Sequence, residues 1–139
     1  MPPINEISTS ALAYLGDCVM ELCVRERLVG EGISHSGQLN SAALQYVTAT
    51  RQADAVKRIL PLLTEEEERY YKRGRNSGHL NIPKSARPME YRMATGMEVL
   101  FGYLHLTEQT ERLRRLFEWA YPRQDRVSVQ EEKGKEEKT

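Results

Sequence analysis

Two acidic residues in this 139-residue chain stand where carboxylates are costly. Asp17 lies in residues 11–28, ALAYLGDCVMELCVRERL, a stretch without Pro and rich in helix formers. On a helical wheel Leu12, Leu15, Val19 and Leu22 form one apolar stripe. Met20, Val24 and Leu28 form another, and Asp17 falls within that second stripe. A helix apolar on more than one face is buried centrally or lies at a subunit interface. Glu98 poses the same question in residues 89–106, where its neighbours on the wheel are Tyr91, Ala94, Phe101 and Gly102. An ionised carboxylate among such neighbours must be hydrogen-bonded, paired or bound to a metal. For one acid, a local cap or ion pair is the simpler reading. Two on separate apolar helices point to a shared site, since Mg²⁺ typically takes one or two carboxylates plus waters and substrate phosphates. Glu21, one turn after Asp17, could join them or pair with Arg25 at i+4; the ion pair is favoured.

The elements that must position these acids are helical. Ser8, Thr9 and Ser10 are candidate N-caps for the first helix, and Gly30 and Gly32 mark its end. Residues 34–37, SHSG, offer cap and turn residues for a second helix, in which Leu39, Ala42, Ala43, Tyr46 and Val47 recur at helical spacing. A β-branched break at 47–50 separates it from a third helix at 51–60, ended by Pro61. Thr64 with Glu67 is a capping box for a fourth helix running to about residue 73, and the acidic run 65–68 is its N-terminus, not a metal site. Residues 74–88, GRNSGHLNIPKSARP, read as a polar loop. The helix at 89–106 follows, then a last one at about 108–119 with Leu113, Leu116, Phe117 and Trp119 as its apolar side. No repeat and no convincing strand is present, so the fold class is all-α. Residues 1–121 form one domain, and 122–139 form a charged tail too poor in bulky apolar residues to pack.

Twenty basic and twenty acidic residues balance, so nucleic-acid binding requires a local patch. Residues 69–92 supply one: Arg69, Lys72, Arg73, Arg75, Lys84, Arg87 and Arg92 against Glu90 alone. Gly74, Asn76, Ser77 and Gly78 give that stretch freedom and further hydrogen-bonding groups. Duplex RNA is recognised mainly through phosphates and 2′-hydroxyls, which suits a basic loop. The competing reading is a solvated charged loop that binds nothing. His35, His79 and His105 lack ligand spacing, and only His79, in the loop, is a candidate RNA contact. Cys18 and Cys23, five apart on one helix, point to different sides and read as small buried apolar residues. No signal-peptide run and no stretch of membrane-spanning length is present, so a cytoplasmic protein without a membrane is expected.

YLGDCVMEL resembles the signature helix of the ribonuclease III catalytic domain, and ATGMEVLFGYLHL resembles that domain's second acidic motif, in the same order and at a similar separation. ALAYLGD, TEEEERYYKRGRNS with its following Pro-Lys loop, and YLHLT are similar to the short form of the family, Mini-ribonuclease III. The resemblance spans about residues 11–120. After Leu106 too little chain remains for the separate double-stranded-RNA-binding domain of longer relatives.

Longer relatives carry further acids four residues before the Asp and three before the Glu; here those positions are Ala13 and Thr95, as in the short form. Gly96-Met97 also replaces the commoner Ala-Phe. The resemblance implies a homodimer with the Asp17 helices meeting near its two-fold axis, and Mg²⁺-dependent hydrolysis with Asp17 and Glu98 as ligands, Glu98 partly through water. It implies RNA contacts from Lys72, Arg73, Arg75, Asn76, Lys84 and Arg92. The implied substrate is the large-subunit (23S) ribosomal RNA precursor, with a ribosomal protein as a possible presenting partner. Two competing classes are a non-catalytic RNA-binding or ribosome-associated protein on the same fold, and a helical protein-interaction module. Retention of both acids opposes the first, and the basic patch opposes the second.

Overall fold

A computed structural model describes residues 1–77, 84 and 87–123. Six α-helices follow a short 3₁₀ turn at Ile4–Glu6: α1 Thr9–Gly30, α2 Ser36–Val47, α3 Ala49–Ile59, α4 Glu65–Arg75, α5 Pro88–Leu106 and α6 Thr110–Ala120. No strand occurs among the described residues. The proposed tail lies outside them from residue 124 onward, as does most of the proposed loop.

The helix boundaries follow local chemistry. Ser8 Oγ accepts the Ala11 amide at 3.1 Å and starts α1. Thr48 closes α2 and opens α3, its hydroxyl facing the Arg51 amide at 3.4 Å. The capping box of α4 forms as expected, with Glu67 N–H donating to Thr64 Oγ1 at 3.2 Å and Thr64 N–H donating to Glu67 Oε1 at 2.9 Å. SHSG does less than expected: α2 begins after His35, which makes no side-chain cap. The start of α6 is also later than expected. Glu108 adopts φ 59°, and the Gln109 amide closes back on Leu104 O at 2.9 Å, so the chain turns before helix resumes. Such left-handed closing residues are usually Gly, which is why the break is not apparent in the sequence.

The centre of the molecule is α5, not α1. Every residue from 93 to 104 is buried except Glu98, which is half-buried. Around α5 pack α1, α4, α3 and α6, while α2 lies outside and has no fully buried residue. On α1, Leu12, Val19, Met20, Val24 and Leu28 face the core, but Tyr14, Leu22 and Val29 are 86, 53 and 64 % exposed. Asp17 and Cys18 are exposed as well, which corrects the expectation that both are buried. The reason is geometric: α1 is covered by α5 at Gly16, and residues 17 and 18 lie beside that contact, open to solvent. Cys23 is half-buried and free, and no disulfide links the two cysteines.

One buried ion pair joins α4 to α6. Glu67, 3 % exposed, receives Arg112 Nε and Nη2 at 2.9 Å each, and Arg112 Nη2 also donates to Leu62 O at 2.8 Å. Burial pushes the Glu67 carboxyl up, but the Arg112 and Thr64 hydrogen bonds and the Arg112 charge outweigh it and hold the carboxyl below its ordinary value. Arg112→Met is expected to destabilise the fold by about 3 kcal/mol, because it leaves a buried carboxylate with only its cap contacts. With its folded value depressed, Glu67 contributes stability at neutral pH that is lost as acid protonates it. A denaturant series from pH 7 to pH 3 on both proteins checks this: the gap between them narrows in acid, and a gap independent of pH refutes it.

Candidate active site

The site begins at a backbone contact. A Cβ on Gly16 would lie 1.6 Å from the Glu98 carbonyl oxygen, and one on Gly102 would lie 2.2 Å from the Leu12 carbonyl oxygen. Two glycines thus let α1 and α5 cross almost backbone to backbone. This crossing brings Asp17, adjacent to Gly16, to Glu98 itself. The acids are 81 residues apart in sequence, yet burial, then the nearby charge of Asp17, push the Glu98 carboxyl up to about 7. Glu21 is not a third member: it is exposed and ion-paired with Arg25, as favoured from the sequence.

Thr95 and Ala13 supply nothing in place of acids. Thr95 is buried and its hydroxyl donates to Tyr91 O at 3.1 Å, while Ala13 is half-buried. Among the described residues no cluster of three His, Cys, Asp or Glu side chains could hold a metal ion. Asp17 and Glu98 could therefore offer a cation two carboxylates, one exposed and one half-buried. Such a pair suits a hard divalent cation that keeps most of its waters or takes substrate oxygens.

A second glycine pair places the basic segment. A Cβ on Gly74 would meet Val99 Cγ2 at 2.7 Å, Gly96 Cα at 2.8 Å and Thr95 O at 2.9 Å, so α4 ends against α5 at the level of Glu98. Gly74 is thus a buried packing residue of α4, not a source of loop freedom. Lys72 is exposed and shared with Glu68 at 2.9 Å. Arg75 is half-buried, its guanidinium 5.8 Å from the Tyr71 ring and bonded to Asn76 Oδ1 at 3.1 Å. Asn76 and Lys84 are exposed, and Arg92 is half-buried. Arg73 turns the other way. Its Nε donates to Thr9 Oγ1 at 2.9 Å and its Nη2 to Ile7 O at 2.6 Å, tying the start of α1 to α4. That inward role is not legible in the sequence, since it joins residues more than sixty positions apart. His79 lies outside the described residues.

Comparison with known proteins gives the family. Residues 10–109 match the ribonuclease III domain. A Mini-ribonuclease 3 of Enterococcus faecalis is 44 % identical over 121 residues, covering 86 % of this chain and 92 % of the relative. The chain belongs to the Mini-ribonuclease III group of the ribonuclease III family. Another Mini-ribonuclease III relative, from Symbiobacterium thermophilum, is 44 % identical over 120 residues, covering 86 % of this chain and 88 % of its own. The crystal structure of protein FN1578 from Fusobacterium nucleatum superposes with a TM-score of 0.73 at 28 % identity, covering 93 % of this chain and 97 % of that one. Mini-ribonuclease III membership makes the chain an endoribonuclease of all-α fold, consistent with use of a divalent metal. Among the described residues no helix is long and apolar enough to cross a membrane.

Proposed function

We propose that the chain is a Mg²⁺-dependent endoribonuclease that cuts paired regions of structured RNA in the cytoplasm, with Asp17 and Glu98 as its metal ligands and the large-subunit (23S) ribosomal RNA precursor as its substrate. The observation that carries the site assignment is the meeting of these two carboxylates at the glycine crossing, where burial and mutual repulsion disfavour two negative charges. A bound divalent cation offsets both effects and supplies Lewis-acid activation of a water and charge neutralisation at the scissile phosphate. Asp17, exposed beside the crossing, orients from the solvent side; Glu98, half-buried, fixes the inner position and limits water there. Lys72, Arg75, Asn76, Lys84 and Arg92 hold the RNA backbone at the level of Glu98. Arg73 acts in this scheme by anchoring α1.

The exposed stripe of Tyr14, Cys18, Leu22 and Val29 on α1, with Leu44 and Val47 of α2 also exposed, supports a homodimer joined through α1. Asp17 borders that stripe, so two sites in such a dimer would address the two strands of a duplex. A ribosomal protein that presents the precursor belongs to the same proposal.

Cleavage of a long duplex RNA, with Mg²⁺ or with chelator, tests the reading beside Asp17→Asn and Glu98→Gln. Metal-dependent cutting lost in both variants is expected. Binding without cutting under all conditions, including on a precursor ribosomal fragment, favours the non-catalytic class. For the RNA-binding residues, Lys72→Gln/Arg75→Gln/Lys84→Gln is expected to weaken duplex binding and flatten its salt dependence by about one logarithmic slope unit for each phosphate no longer neutralised. The triple variant stays dimeric by sedimentation, whereas Leu22→Glu becomes monomeric. An unchanged salt slope removes the RNA assignment, and a dimeric Leu22→Glu removes the interface.

A further inference from the structure

Resting on the endoribonuclease reading above, we propose that Arg73 and Thr9 form a positioning pair for RNA cleavage, holding the end of α4 that carries Lys72, Arg75 and Asn76 in register with Asp17 on α1. Helices α1 and α4 each pack on α5 and barely on each other. None of residues 1–11 is fully buried, so the core takes hold of α1 only at Leu12. Ahead of that point Arg73 supplies the grip. Its Nε donates to Thr9 Oγ1 at 2.9 Å and its Nη2 to Ile7 O at 2.6 Å. The same guanidinium lies 5.5 Å from the Tyr70 ring centre, and Tyr70 stacks on Tyr103 of α5 with centroids 3.9 Å apart. Both rings are buried, so the cation rests on a platform fixed in the core. A planar guanidinium held by two hydrogen bonds and a ring is a stiff link.

That link joins the two halves of the site. Thr9 precedes Asp17 by eight residues, about 12 Å along α1 and about 80° around it. Arg73 lies between Lys72 and Arg75, and its neighbour Gly74 seats the same turn of α4 against Thr95, Gly96 and Val99 of α5. Gly16 fixes where α1 crosses Glu98, and Gly74 fixes where α4 meets α5. Arg73 ties the two helices to each other directly. Without it both glycine contacts remain, and with them the fold and the acidic pair. What loosens is the placement of an RNA strand, held by Lys72, Arg75 and Asn76, relative to Asp17. A misplacement of about 1 Å at the reacting atoms can cost about a hundredfold in rate. The first turn of α1 frays by less than that, so a smaller loss is expected, in kcat and not in KM.

Steady-state cleavage of a long duplex RNA by the full chain with Mg²⁺ tests the pair. Arg73→Gln is expected to lower kcat about tenfold with KM within about twofold, and Thr9→Val to lower kcat about threefold. Thr9→Ser keeps the hydroxyl and is expected to match the parent. Because Thr9 acts through Arg73, Thr9→Val/Arg73→Gln falls no further than Arg73→Gln alone. An unchanged kcat in Arg73→Gln, or losses that simply multiply in the double variant, overturns the proposal. The salt dependence of duplex binding separates positioning from contact. Arg73→Gln is expected to keep the parent's slope, and a slope reduced by about one unit makes Arg73 a phosphate ligand and overturns the pair. Circular dichroism checks each fold; where Arg73→Gln is unfolded at the assay temperature, Thr9→Val against Thr9→Ser decides, and equal kcat overturns the proposal. A parent that leaves duplex RNA uncut refutes the endoribonuclease reading itself, whereas a cutting parent with unaltered variants refutes the positioning pair alone.

Discussion

Gly16→Ala is expected to lower the melting temperature by about 10 °C and to cut RNA cleavage about a hundredfold in whatever fraction folds. The added methyl has nowhere to go. It would sit 1.6 Å from the Glu98 carbonyl oxygen, 2.5 Å from its carbonyl carbon and 3.0 Å from its Cα, all backbone atoms of a helix. A side chain can rotate away from such an intrusion, but a helical carbonyl cannot, so α1 and α5 must separate. Because α5 is the buried centre and α1 its largest neighbour, that separation disturbs the core and costs on the order of 3 kcal/mol. It also moves Asp17 relative to Glu98. Gly37→Ala is the matched control, since a Cβ there meets nothing within 4 Å. It is expected to be neutral or slightly stabilising, as Ala is favoured over Gly in helices. A Gly16→Ala protein that melts and cuts like the parent would refute the crossing.

Much of this architecture follows from short-range signals. The Thr64 capping box, the Pro61 stop and the spacing of Leu113, Leu116 and Phe117 all act within a few residues, and each is visible in the chain. The two acids stand out the same way, as polar positions on apolar helices, although only Glu98 is in part buried. What the sequence hides is pairing over distance. Glu67 reads only as the capping acid of α4 until Arg112, 45 residues on, makes it half of a buried ion pair. Arg73 reads as an RNA contact and Arg27 carries no signal of its own, and only the packed fold turns both inward. Gly74 and Gly16 behave likewise. A glycine needed for a turn and one needed for close packing look the same in a sequence, and the neighbouring helix decides between them. The centrality of α5 is equally hard to tell from that of α1, because both are apolar all round and differ in whether a neighbour in this chain covers the second face.

Glu98→Gln is expected to abolish cleavage and, in metal-free protein at pH 8, to stabilise the fold. The two effects share one cause. Burial and the Asp17 charge raise the folded carboxyl to about 7 from an ordinary 4.5, so the folded state holds this proton more tightly than the unfolded chain does. Stability from this group is therefore complete below about pH 4.5, declines as pH rises through 7, and is level above. The total decline is about 3 kcal/mol. Gln cannot ionise and escapes it, so the variant is more stable than the parent at pH 8 and equal to it near pH 4. Asp17→Asn removes only the smaller of the two causes and gives a smaller gain. Denaturant unfolding with chelator, at both pH values, measures the difference. Mg²⁺ then reverses the order, because a cation that binds the ionised pair stabilises the parent and has no such site in the variant. Cleavage, by contrast, falls about a thousandfold or more, as the several kcal/mol that a correctly held metal gives the transition state are lost. A Glu98→Gln protein less stable than its parent at pH 8 without metal would contradict the burial argument, and one that still cuts would contradict the ligand assignment. The pairing of a stability gain with an activity loss separates a functional acid from a structural one, for a structural carboxylate such as Glu67 loses stability when its charge is removed.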